Sequence, residues 1–82
     1  MFSTYILFSQ KINKYYTGQT IHLLRRLEEH NRGKTPYMAG GIPWILVFSK
    51  EFKSRKEAVN LEKQIKKRGA DRYLLEYGFI VG

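Results

Sequence analysis

The chain has 82 residues, no cysteine, and 15 basic against 7 acidic side chains, a net charge of +8. A domain this short buries only about 60% of the surface its unfolded chain exposes, which excludes a deep enclosed pocket and leaves a shallow groove, better suited to an extended polymer than to a small metabolite. The missing cysteines exclude a disulfide framework and a cysteine-based zinc site, while the charge points to a polyanion as partner.

Residues 1–49 hold six basic and two acidic groups and residues 50–72 hold nine and four, so the positive charge belongs to the folded domain rather than to a tail. The longest wholly apolar run, Trp44 to Phe48, is far below the roughly 20 residues of a membrane helix. Met1 to Gln10 carries neither a basic leader nor a cleavage pattern. These features predict a soluble, cytoplasmic protein.

Phe2 to Phe8, rich in Tyr, Ile, Leu and Phe, predicts a first strand, and Lys14 to Gln19 a second, joined through Ser9 to Asn13 as a hairpin. Gly18 supplies backbone freedom for a tight turn after Tyr15 and Tyr16. Thr20 is the expected N-cap of a helix from about Ile21 to Arg32, ended by Gly33. Leu23, Leu24 and Leu27 mark its apolar stripe. At about 100° per residue, Leu23, Leu27 and His30 share a face, and Arg26 falls on its edge.

Thr35 to Pro43, with Pro36, Gly40, Gly41 and Pro43, reads as a loop, and Trp44 to Lys50 as a central strand. Ser54-Arg55-Lys56-Glu57 is a capping box opening a helix to about Arg68, closed by Gly69. Asp71 to Tyr77 predicts a short third helix with Gly78 as its C-terminal cap. The order β-β-α-β-α-α predicts one α+β domain over residues 1–82, a three-stranded, mainly antiparallel sheet covered by helices.

Within the second long helix, Ala58, Leu61 and Ile65 form the buried stripe, and Glu62 lies inside it. A carboxylate there is costly unless it is paired or binds a cation. Glu57 and Glu51 have capping or solvent explanations; Glu62 has none from its position. The geometry predicts Tyr16, Arg26 and Glu62 facing one shallow groove, with Tyr5 beside Tyr16 and His30 close by.

Tyr5, eleven residues before Tyr16, followed by Gly18, Arg26, His30, Asn31 and Glu62, resembles the GIY-YIG nuclease family. The likeness runs through Tyr15-Tyr16-Thr17-Gly18-Gln19-Thr20, Arg25-Arg26-Leu27-Glu28-Glu29-His30-Asn31, Pro43-Trp44 and Glu62-Lys63-Gln64-Ile65-Lys66-Lys67, nearly the whole chain. It is greatest to small free-standing members of this length. Two departures stand out: the first triplet is Ser3-Thr4-Tyr5, without its glycine, and no residue after Asn60 supplies the late asparagine of larger relatives. The resemblance implies a β-β-α-β-α fold and a metal-dependent endonuclease cutting DNA, in the context of repair or recombination. It implies one divalent metal, magnesium or manganese, on Glu62. It also implies a phosphate contact from Arg26, and Tyr5 and Tyr16 close to the attacking water.

Those residue types suit the chemistry. Arg26 can give two parallel hydrogen bonds to phosphate oxygens and keeps its charge at any working pH. A metal on Glu62 would act as a Lewis acid, and a two-metal site would need clustered carboxylates that the chain lacks. A tyrosine is a weak base at its reference pKa of about 10 unless cations surround it; Tyr16 is expected to take that role. His30 would orient a tyrosine or serve the leaving side. Lys34, Lys63, Lys66, Lys67 and Arg68 are the expected nucleic-acid contacts, and His22 has no role.

Each residue also has a plainer reading. The tyrosines would be core residues with satisfied hydroxyls, Arg26 and Glu62 a structural ion pair across two helices, and the lysines a solvated face. At the level of function the competing classes are a nucleic-acid-binding module without turnover and a small protein docking an acidic partner. DNA is the expected polymer, with RNA, a protein partner and the oligomeric state left open.

Overall fold

The computed structural model of the chain describes residues 1–78. Strands β1 (Phe2–Ser9) and β2 (Lys14–Thr20) form an antiparallel hairpin in which Leu7 faces Tyr16, Ile6 faces Thr17 and Tyr5 faces Gly18. The connecting turn places Asn13 at φ 54°, a left-handed conformation that asparagine tolerates. β3 (Ile45–Phe52) pairs antiparallel on the other side of β1, so the sheet order is β2-β1-β3.

The central strand is therefore β1, and β3 lies at an edge rather than in the middle as its apolar run predicts. β1 is almost continuously buried, from Ser3 to Leu7, because both its faces are covered. Side chains alternate along a strand. Tyr5 and Leu7 face a layer with Met38, Trp44, Leu23 and Leu27, while Ile6 faces Leu61, Ile65 and Tyr73. Trp44 precedes β3 and buries itself under the loop instead, its indole N–H donating to the Met38 carbonyl at 2.9 Å.

Helix α1 (Leu23–Asn31) covers the Tyr5 face and α2 (Arg55–Arg68) the Ile6 face. α1 begins later than its sequence suggests. Thr20 stays in β2, and its Oγ1 accepts from the His22 N–H at 3.0 Å, while His22 occupies the N-cap position without a side-chain bond. Leu24 points to solvent at 78% exposure, so the apolar stripe is Leu23 and Leu27. Gly33, at φ 80°, follows the helix as expected.

The loop expected over Thr35 to Pro43 contains a 3₁₀ turn, Pro36–Gly41, which sends Met38 into the core. Asn31 ties this segment down: its amide donates to the Trp44 carbonyl at 3.0 Å and its Oδ1 accepts from the Trp44 N–H at 2.6 Å. Ser54 caps α2 as expected, its Oγ accepting from the Glu57 N–H at 3.2 Å, while the Glu57 carboxylate reaches back to the Ser54 hydroxyl, at 3.1 Å, rather than to its backbone N–H. Gly69, at φ 97°, ends α2 and leads into α3 (Ala70–Tyr73), followed by a π-type turn, Leu74–Gly78. Gly78 is the last residue of that turn, and the contacts expected of a cap beyond it lie outside the described residues. No helix among the described residues is long and apolar enough to cross a membrane.

Candidate active site at the edge of the sheet

The α1 face of the sheet carries a buried aromatic cluster. Tyr5 and His30 are both inaccessible to solvent, at 1% and 0% exposure, and Tyr5 Oη lies 3.2 Å from His30 Nε2. His30 Nδ1 meets Thr35 Oγ1 at 3.3 Å. Either neutral tautomer satisfies both bonds, because each hydroxyl can donate or accept. Burial leads in holding the His30 pKa below its ordinary value, and the Arg26 charge adds to that effect. His30 is thus a buried, neutral anchor for Tyr5.

Tyr16 sits half-buried against this pair, its ring 6.2 Å from Tyr5 and 5.1 Å, edge-on, from His30. Burial first, and then Tyr16, push the Tyr5 phenol well above the usual tyrosine range; the nearby Arg26 guanidinium pulls the other way. A phenol so held keeps its proton and offers a hydroxyl rather than a base. Arg26 is 43% exposed and pairs with Glu29 at 3.2 Å.

Gly18 owes its place to space. It lies within β2, and it is not among the glycines at positive φ. A Cβ there would stand 2.8 Å from Tyr5 Oη and 3.1 Å from Tyr16 Cε2. The glycine predicted to make a turn instead makes room for both phenols.

The predicted arrangement is altered at Glu62. Arg26 and Glu62 stand on helices covering opposite faces of the sheet, and the ion pair between them weighed above does not form. Glu62 pairs with Lys66 instead, at 2.9 Å, with 19% of its side chain exposed. The hydrogen bond to Glu62 leads in raising the Lys66 pKa, and the phenol oxygens of Tyr16 and Tyr37 add to it. Lys66 is therefore the link between the two sides, reaching round β2. It lines a groove of about 300 Å³ together with Tyr15, Tyr16, Thr17, Tyr37 and Ala70. Tyr37 and the bridging place of Lys66 were missed in sequence; the spacing of Glu62 and Lys66, one helical turn apart, is a signal for the pair, while nothing local marks Tyr37.

Lys34, Lys63, Lys67 and Arg68 are exposed. Arg68 is engaged by the Glu76 carboxylate through both Nε and Nη2, the latter at 2.7 Å. Lys67 and Arg68 line a second groove of about 400 Å³, on the other flank of α2, with Gln64, Arg72 and Tyr77.

No three His, Cys, Asp or Glu side chains cluster among the described residues, so the donors do not suit the protein cage of zinc or calcium. They fit an ion of the magnesium type, which keeps several waters and shares phosphate oxygens with a single carboxylate. Glu62, mostly buried and paired with Lys66, is the carboxylate that would hold such an ion. The Gln19 Oε1 atom, in β2, is buried without a hydrogen-bond partner among the described residues and is the kind of oxygen that ligates a hard cation or accepts a hydrogen bond from its water shell.

A buried tyrosine–histidine pair, a second tyrosine and an arginine are held on one face of a three-stranded sheet in a small α+β domain. A family model described as the GIY-YIG catalytic domain matches residues 1–73, and the chain belongs to the GIY-YIG family. Among its relatives is the UPF0213 protein of Listeria monocytogenes, 34% identical over 68 residues, covering 78% of this chain and 76% of that one. The UPF0213 protein of Nitratidesulfovibrio vulgaris is 38% identical over 60 residues, covering 72% of this chain but only 54% of its own length. The solution structure of the UPF0213 protein BH0048 of Bacillus halodurans superposes with a TM-score of 0.58 at 32% identity, covering 95% of this chain and 87% of that one. The predicted α+β fold is the fold of this family.

Proposed function

We propose that the chain is a divalent-metal-dependent endonuclease that hydrolyses DNA phosphodiester bonds. The observation that carries this reading is the convergence of Tyr5, Tyr16, Arg26 and His30 beside a groove that Tyr16 shares with Lys66, the partner of Glu62. Arg26, half-exposed, receives the scissile phosphate and offsets the charge that builds on it. Tyr16, which lines the groove, takes the proton of the attacking water. Tyr5 keeps its own proton and fixes Tyr16 from behind, held in turn by His30. A divalent cation on Glu62 supplies positive charge against the departing oxygen when bound.

The second reading, a nucleic-acid-binding module with the same fold, draws on one specific observation: Lys66 already satisfies Glu62. Glu62→Gln separates the two. Breaking the pair with Lys66 leaves behind a lysine whose side chain is 57% exposed and can be solvated. An i,i+4 helix pair contributes only about 0.3–0.5 kcal/mol, so the melting temperature should barely move. Cleavage of branched and linear DNA in magnesium or manganese should vanish while DNA binding persists. A Glu62→Gln protein that cuts at the parent rate refutes the endonuclease site as drawn, and a parent protein that binds DNA but cuts none in either metal favours the binding module.

A further inference from the structure

The groove beside the site has a wall that no catalytic role explains. Tyr37, on the 3₁₀ turn, is 76% exposed, so packing does not account for a large ring at that position. Its centroid is 6.5 Å from that of Tyr16, at an interplanar angle of 58°, which is not a stack and leaves the exposed ring available to another flat group. The Lys66 ammonium lines the same groove. Aromatic surface and a cation side by side complement a nucleotide, whose base is a flat apolar disc beside a negative phosphate. In a continuous duplex both faces of each base are covered by neighbouring bases, so only an unpaired, unstacked nucleotide can use Tyr37. A volume of about 300 Å³ is at the small end of ligand sites, enough for one nucleotide.

We propose that this groove is a subsite for a single unpaired nucleotide adjoining the scissile phosphate, with the base stacked on Tyr37 and a phosphate facing Lys66. The inference rests on the endonuclease reading and names its substrate class: DNA with a single-stranded segment at the cut. Intact duplex is then held only through its backbone.

The test is binding, measured in chelator so that no cleavage intervenes, to an oligothymidine strand and to a duplex of equal length. Stacking on one aromatic ring is worth about 1–3 kcal/mol per base, so Tyr37→Ala should weaken single-strand binding roughly 5- to 150-fold and leave duplex binding unchanged. Tyr37→Phe keeps the ring and should bind as the parent does. Equal single-strand affinity of Tyr37→Ala and parent, or an equal loss on strand and duplex, overturns the subsite. The parent protein gives a second measure that needs no variant: 2-aminopurine at a single unpaired position should be quenched on binding, and unquenched fluorescence in the bound complex also overturns it. Cleavage assays fail or succeed separately. A protein that cuts DNA without any Tyr37 dependence loses the subsite alone, and one that never cuts but shows the Tyr37 dependence loses the nuclease reading alone.

Discussion

The two faces of β1 are both buried, but by different chemistry. On the α2 side, Ile6, Leu61, Ile65 and Tyr73 form an apolar layer with Phe48 and Val47 against it. On the α1 side, Tyr5 and His30 are equally inaccessible and carry hydrogen-bonding groups into the same depth. An apolar layer depends on filled volume, whereas a buried polar pair depends on each partner being present. Both layers hold the domain together, since Leu7, Met38 and Trp44 are buried on the α1 side as well, but the α1 side also fixes the hydrogen-bonded Tyr5–His30 pair. The groove lies at the β2 edge, where Lys66 from the first side meets Tyr16 from the second.

The comparison is tested most strongly by one truncation on each face. Ile65 is 0% exposed, so Ile65→Ala should cost about 2–5 kcal/mol, a large share of the roughly 5–15 kcal/mol that holds a small domain. Below its lowered melting point the folded fraction should still cut DNA. Tyr5→Phe leaves His30 Nε2 without its partner and should cost about 1–3 kcal/mol, with cleavage falling even where the protein is fully folded. Denaturant midpoints and cleavage rates on both variants decide the matter. Equal cleavage by Tyr5→Phe and the parent would erase the distinction between the faces.

A smaller change sharpens it from within the site. Gly18→Ala adds one methyl group 2.8 Å from Tyr5 Oη, in a place where both rings are confined. Overpacking of this kind costs about 1–3 kcal/mol, and it should displace Tyr5 and Tyr16 and slow cleavage. Tyr5→Phe removes the atom that stands nearest to the new methyl. In the double variant the two stability costs should therefore sum to less than their separate values, by urea unfolding. Strict additivity would mean that Gly18 matters for something other than room.

Much of this was legible in the sequence, for identifiable reasons. The hairpin, the capping box at Ser54 and the buried stripe of α2 rest on local periodicity and turn chemistry, which act over a few residues. The joint spacing singles out Tyr5, Tyr16, Arg26 and Glu62, of which the first three lie together, with His30 beside them. What was not legible depends on contacts distant in the chain. The rank of β3 in the sheet is decided by which strand is covered on both faces, and Trp44, counted there as strand, is claimed by Met38 and Asn31. Glu62 was placed with Arg26 because both lie on inward helical faces. Helical angle, however, does not tell which side of a sheet a helix covers, and the partner of Glu62 turned out to be the lysine one turn ahead. Tyr37 sits in a turn whose path only the folded chain defines.

The smallest expected effect follows from His30. Burial, aided by Arg26, sets its folded pKa below the reference value of 6.5, so between those values the unfolded chain binds more protons than the folded one. Stability must then rise with pH in that window. The contribution is present above about pH 6.5 and is lost as the pH falls through the folded value. Glu29 opposes the shift, and Tyr5 and Thr35 bond the ring without bringing a charge that titrates in this range. His30→Gln has no titrating ring, and His22 is common to both proteins, so its contribution cancels in their difference. Urea unfolding of parent and His30→Gln at about pH 7.5 and about pH 5.5 should find the parent losing stability relative to the variant on acidification. A difference that stays constant across that range would mean that His30 takes up its proton as readily in the folded domain as in the unfolded chain, and a ring that charges so readily could not be the neutral anchor that keeps Tyr5 in place behind Tyr16.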